Sequence, residues 1–471
     1  MRMTTTWEGF AARLGNDRSL AGIFALAVLF YFLMPFYNVV DGDVAFLTWT
    51  ANQMLRGAVF GRDILEVNPP LCVLIYMPAV LLGKVIGLEW GVRTWMLILT
   101  LASLACLWQT AGRAMRLPVA VVLLLFVTLV FPNHFAQREQ IVLLLCAPYV
   151  AGIAPNRRWG LLSGIMAGIG FMMKPHFLIP LALIFAMRRR FGLEERAIIA
   201  VGAAYAVTLL AFFQPYLLEM VPMAATTYWA IHHPWDAMVE QTAFTLLAAV
   251  PMAFAGAPQP VALPYLAATL GFTAAAVLQQ KGFVYHFIPA FGFLALYLTV
   301  RTFNENRTVA FVSALFLLTV AIMAGKSTLY WRSVVDGDIA IDSALKAEID
   351  GAASYASFVP EPYPAFPMAI HSTSRFVGIA IHQIFIPAVA SLATGLVEGD
   401  PVETRMLALS QATRELANNP VLVITLNVPY VIDGQPFDIL EFFNQDPRFR
   451  EAWSNYAPDR SIGPFLLYRR R

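Results

Sequence analysis

The chain is a succession of apolar runs, near 20–40, 70–88, 93–110, 117–132, 140–154, 159–173, 176–187, 197–217, 242–257, 261–278, 283–300 and 308–325, separated by short stretches holding Pro, Gly and arginines. Runs of this kind fold as helices that satisfy their backbone hydrogen bonds internally, the solution lipid demands. Several fall short of the roughly 20 residues of a spanning helix. Only 13% of the residues are charged and 59% are hydrophobic, where soluble domains carry about one quarter charged. The composition therefore predicts an α-helical polytopic membrane protein. The basic residues are scattered singly or in threes, which excludes a nucleic-acid surface. Cys72, Cys106 and Cys146 all lie in apolar surroundings and none follows residue 146, so the polar tail has no disulfide framework. Leu20–Val40 is too long for a signal-peptide core and reads as a retained first span.

The arginines set the topology. The basic connections are Arg113/Arg116, Arg157/Arg158, Arg188–Arg190 with Arg196, and Arg301/Arg307. With residues 1–19 as a cytoplasmic tail, all of them fall inside only if 70–88 does not span, and the positive-inside rule favours that choice. Residues 70–88 then form a half-embedded external helix within one long loop, 41–92. Eleven spans remain over 20–325. Residues 133–139, Lys174–His176, 219–240, 279–283 and everything after 326 are external. Polar residues gather on that one face.

The tail, 326–471, has a different texture. Residues 401–417 suggest an amphipathic helix, VLVITL a buried strand, FDILEFF and RFREAW short helices, and FLLYRR a final strand. This predicts a small C-terminal α/β extracytoplasmic domain. The apolar stretch 376–393 is expected to pack at its surface rather than to span.

The first external loop opens DGDVAFLTWTANQMLRG, with Asp41 and Asp43 one residue apart. Leu47, Ala51, Met54 and Leu55 follow the spacing of an interfacial helix, which Asp43 is placed to cap. A cap alone does not account for Asp41, Asp63 and Glu66 in the same loop. Four stretches, the Asp-containing loop start with Leu55-x-Gly57, RDILEVNPPL (62–71), AQREQIVLLLCAPY (136–149) and QQKGFVYHFIP (279–289) preceded by MKP (173–175), resemble the GT-C superfamily of membrane glycosyltransferases. Within it the chain is similar to protein O-mannosyltransferases, lipid A aminoarabinose transferases and bacterial enzymes with a Gln-Arg-Glu signature. The resemblance covers roughly 20–325. It departs from the family in reading Asp-Gly-Asp where many members read Asp-Glu, and in Phe283 and Gln140 where members often carry Trp and His.

The resemblance implies transfer of a sugar from a polyprenyl-phosphate donor to an acceptor hydroxyl on an envelope glycan, lipid or protein, outside the cytoplasmic membrane and with inversion. Such chemistry needs a base for the acceptor proton and stabilisation of the leaving phosphate. It makes Asp43 the candidate base, with Asp41 as a second candidate or an orienting group and Glu139 nearby. Lys281, Tyr285, His286, Lys174 and Arg138 become candidates for the donor phosphate. Snorkelling and interface anchoring explain Lys281, Lys174 and Tyr285 equally simply, and Arg138 and Glu139 can pair with each other. Glu66 and Asn68 are candidates for acceptor hydroxyls or a divalent cation. His232 and His233 are metal candidates with Glu66 or Asp41 as partners, or belong to an aromatic anchor at headgroup depth. Two other readings compete. A transporter or flippase of lipid-linked sugars predicts charges within spans and an internal repeat, and neither is present in the sequence. A membrane scaffold gives no reason for acids and lysines to gather on one face.

Overall fold

The computed structural model describes residues 17–34, 40–227, 235–254, 259–304, 340–393, 401–432 and 434–471, with the isolated positions 230, 314, 318, 319 and 322. The chain forms two compact units, one from Met1–Val39, Trp90–Thr208 and His233–Arg332, the other from Val40–Glu89, Leu209–His232 and Ser333–Arg471.

The first unit is helical. Its apolar runs fold as the helices Asp17–Leu33, Arg116–Leu129, Arg138–Ala151, Arg157–Met172, Leu178–Arg188, Val239–Phe254, Leu263–Leu278 and Ile288–Asn304, with most of Leu88–Thr110 and Leu193–Phe212. Among the described residues, three segments are long and apolar enough to cross a membrane: Leu88–Thr110, Leu193–Phe212 and Val284–Phe303. Eleven were expected from the runs; most of the others are present as shorter apolar helices. Proline explains part of the shortening. Pro175 cannot continue the helix Arg157–Met172, and the chain passes through a tight turn, Pro175–Phe177, before Leu178–Arg188 begins. The run 308–325 lies almost wholly outside the described residues.

Small residues bring the helices together. A Cβ on Gly164 would stand 2.5 Å from the Glu194 carbonyl oxygen, and one on Gly168 would stand 2.8 Å from the Val201 Cβ. The helices Arg157–Met172 and Leu193–Phe212 therefore meet backbone to backbone, as small residues allow in lipid. A buried network closes this corner. Arg188 Nε donates to Glu195 Oε1 at 3.2 Å, and its Nη1 donates to the Tyr149 and Gly152 carbonyls. The guanidinium lies 4.2 Å from the Tyr149 ring centroid. Glu195 also accepts the Gly192 N–H at 2.7 Å. Of the arginines expected in the connection 188–190, Arg188 is thus a structural pin rather than a solvated charge.

The second unit is built on a five-stranded sheet, β1 Ser354–Phe358, β2 Arg375–Phe376, β3 Leu422–Leu426, β6 Tyr456–Ile462 and β7 Phe465–Arg470, in the order β2-β1-β3-β7-β6, while β4 Tyr430–Ile432 and β5 Gln435–Phe437 pair separately. β1 runs parallel to β2 and β3, while β7 is antiparallel to β3 and β6. Every residue of β1 is buried, as suits a central strand with parallel neighbours. The helices Pro401–Ala417, Ile439–Phe443 and Pro447–Trp453 and the final strand fall where the sequence pattern puts them. Residues 376–393 divide into the end of β2, a loop and the eight-residue helix Ile386–Ala393, which packs on Pro401–Ala417.

Residues 41–89 of the expected first external loop belong to this unit. Its helix Gly42–Leu55 was expected to lie in an interface with one apolar face. Instead Val44–Ala51 are all buried. Phe46 and Trp49 pack edge-to-face on Phe366, with centroids 5.2 and 5.9 Å away, and Trp49 does the same on Phe376. Leu65 N–H donates to the Ile379 carbonyl at 2.7 Å, and Arg62 pairs with Glu219 at 2.6 Å. Gly61, at φ +87°, sits where a Cβ would strike the Tyr216 backbone at 2.6 Å, so both its conformation and its neighbour require glycine.

Candidate functional site

The candidate residues fall into one group in each unit. In the first unit, the turn before the helix Arg138–Ala151 bends through Phe131 and Ala136, both with positive φ. Gln140 fixes it, accepting the Ala136 N–H at 2.7 Å and donating to the Val127 carbonyl at 2.6 Å. Arg138 and Glu139 thereby enter the first helical turn, where a carboxylate suits the positive end of the helix dipole. Both are buried. Lys174, in an extended conformation between two helices, donates to Glu139 Oε1 at 2.5 Å and to Gln279 Oε1 at 3.3 Å. Gln280 and Gly282, both at positive φ, flank Lys281 and turn the chain around it.

These side chains form one electrostatic cluster. Glu139 interacts with Lys174, Arg138 and His286, and His286 also with His176. Lys281 is 5% exposed; burial, with Lys174 beside it, pulls its ammonium down to about 7. Tyr285 stacks on its neighbours, 5.3 Å from the His134 ring, 4.4 Å from His286 and 5.6 Å from Phe283. The structure thus brings together Arg138, Glu139, Lys174, Lys281, Tyr285 and His286. Sequence reasoning missed Gln279, His176 and His134. Gln279 opens the singled-out stretch 279–289 and His176 directly follows MKP, but no spacing marks either side chain.

In the second unit the capping residue is Asp41, not Asp43: its carboxylate accepts the Val44 N–H at 3.0 Å. Asp43 lies in the first turn of the helix Gly42–Leu55. The difference is one of register, since the helix begins two residues earlier than its apolar pattern. Glu66 Oε1 accepts both the backbone N–H and the side-chain amide of Asn68 at 2.6 Å, which commits that oxygen to the turn before Pro69-Pro70. His232 and His233 lie outside the described residues. Among the described residues no group of three or more His, Cys, Asp or Glu side chains is arranged to hold a metal ion.

Comparison with protein-family models, with curated proteins and with solved structures gives no match.

Proposed function

We propose that this chain is a membrane glycosyltransferase that moves a sugar from a polyprenyl-phosphate carrier to an acceptor hydroxyl on an envelope glycan, lipid or protein, at the external face of the cytoplasmic membrane. One observation carries the reading. Lys174 reaches Glu139, 35 residues away, and Gln279, 105 residues away, in one buried cluster with Arg138, Lys281 and His286. Three separated motifs singled out for donor chemistry meet there, and lysine and arginine at one buried position suit a phosphate. The topology has support of its own. The stretches that the arginine distribution puts outside, 41–92, 219–240 and the tail, supply most of one compact unit.

In the reaction, a base, for which the sequence makes Asp43 the candidate, accepts the acceptor's hydroxyl proton as that oxygen bonds to the anomeric carbon. The bond from that carbon to the phosphate oxygen breaks, and its electron pair leaves with the phosphate. The phosphate gains one negative charge, which Lys174, Lys281 and Arg138 stabilise. Attack opposite the leaving group inverts the anomeric centre.

The test is a strain lacking this chain, complemented with wild type, Asp43→Asn or Lys174→Met and followed by mass spectrometry of lipid-linked sugars and surface glycans. The expected result is one accumulating polyprenyl-phosphate sugar and one glycan lacking that sugar, restored by wild type alone at equal expression. Profiles identical in all strains would remove the reading.

A further inference from the structure

The cluster of the first unit holds acceptors as well as cations. Glu139 is 0% exposed, and only its Oε1 is engaged, by Lys174; its Oε2 has no hydrogen-bond partner. His286 is 6% exposed, and its Nδ1 has no partner either. The two residues interact electrostatically, and the helix that carries Glu139 packs against the turn Val284–Phe287 that carries His286. Buried polar atoms without partners are costly unless a ligand completes them.

The chemistry of these atoms narrows the ligand. A carboxylate oxygen only accepts hydrogen bonds and repels phosphate oxygens. What meets Glu139 Oε2 must therefore donate, while the lysines beside it take the anion. Next to them stands an aromatic wall, Phe283 and Tyr285 with ring planes 9° apart, Phe283 being 41% exposed. Its apolar faces suit the C–H face of a sugar ring. We infer that Glu139 Oε2 and His286 Nδ1 form a subsite that reads hydroxyl groups of the sugar next to the donor phosphate. The inference rests on the proposed donor site and adds a specificity element to it.

A site built to bond a hydroxyl rejects a ligand lacking it, because its own polar groups are then left unpaired. The experiment measures binding of ethyl phosphate and of a panel of aldohexose and aldopentose 1-phosphates to the detergent-solubilised full chain by calorimetry. Wild type is compared with Glu139→Gln, which turns the accepting Oε2 into an amide donor, and with His286→Gln. Folding is checked by circular dichroism and gel filtration. The expected result is at least one sugar phosphate binding roughly ten- to hundredfold tighter than ethyl phosphate, with that advantage lost in both variants. If every sugar phosphate binds like ethyl phosphate, the subsite is refuted while the phosphate site stands. If Glu139→Gln weakens ethyl phosphate and sugar phosphates alike, Glu139 only positions Lys174, and the subsite is again refuted. If no phosphate binds wild type at all, the donor-site reading falls and the inference with it.

Discussion

Lys174 Nζ lies 2.5 Å from Glu139 Oε1, with both side chains at 5% exposure or less. A buried pair of this kind contributes little net stability over an apolar pair, yet removing one member strands the other charge at a cost of about 3–5 kcal/mol. Lys174→Met is therefore expected to be strongly destabilising. Glu139→Gln alone is milder, since Gln still offers Lys174 an acceptor. The double variant should recover about 0.5–3 kcal/mol relative to the sum of the singles. Denaturant unfolding of the four proteins in one detergent gives the coupling, and strict additivity would mean that the pair is not formed.

Lys281 gives the site a pH dependence. Burial first, and Lys174 second, bring its ammonium to about 7 in the empty site. A bound anion favours the protonated form and raises that value. Binding is therefore fully supported below pH 7 and weakens as pH rises above it, by up to about tenfold per pH unit if protonation is obligatory. Dimethyl phosphate is the suitable probe, because its charge is constant over this range. Lys281→Arg, which keeps its charge throughout, should flatten the profile between pH 6 and 9. A wild-type profile already flat over that range would argue against a role for Lys281 in binding the anion.

Three helices, β3 and the final strand of the tail could be read from the sequence because they are short and locally patterned, whereas β1, β2 and β6 of the same sheet could not. The helix Gly42–Leu55 shows where such reading stops. Its period suggests a single apolar face, but Phe46 and Trp49 are buried against Phe366 and Phe376, some 300 residues away. No local pattern contains that partner. The buried cluster around Lys174 is an intermediate case: Lys174 and Lys281 stand out as cations at the ends of apolar runs. Gln279 does not, because an amide beside a lysine looks like any interfacial residue until the backbone reverses at Gln280 and Gly282. The break at Pro175, by contrast, is visible in the sequence, since proline cannot continue the helix Arg157–Met172.

Asp41 and Asp43 can be told apart by what each substitution changes. Asp41 holds the Val44 N–H, so Asp41→Ala should cost about 0.5–2 kcal/mol of stability, and Asp41→Asn, which keeps an acceptor, should recover most of it. Asp43 lies in the first turn, and the loss of its charge in Asp43→Asn should cost about 0.3–1 kcal/mol through the helix dipole. If Asp43 is the base, that same substitution lowers transfer by roughly 10²–10⁴-fold. Thermal unfolding alongside a glycan assay separates the two positions. A stable, inactive Asp41→Asn beside an active Asp43→Asn would exchange their roles.

Glu415 in the tail makes stability depend on pH. Its carboxyl is buried, which raises it to about 7, against the opposing pull of hydrogen bonds from the Ile379 N–H and the Gln411 and Gln383 amides. The folded tail therefore binds this proton more tightly than the unfolded chain, whose carboxyl titrates near 4.5. Between those values the folded state holds more protons, so stability falls as pH rises through the window and levels off above about 7. The loss is on the order of 1–3 kcal/mol. Glu415→Gln removes the titration, and its amide can donate to Gln383 Oε1 or Gln411 Oε1, neither of which has a partner. That variant should be more stable than wild type at pH 8 and close to it at pH 5. Hydrogen exchange of β3, Leu422–Leu426, corrected for intrinsic rates, measures this locally. Equal protection in wild type at both pH values would show that Glu415 does not change protonation across the window.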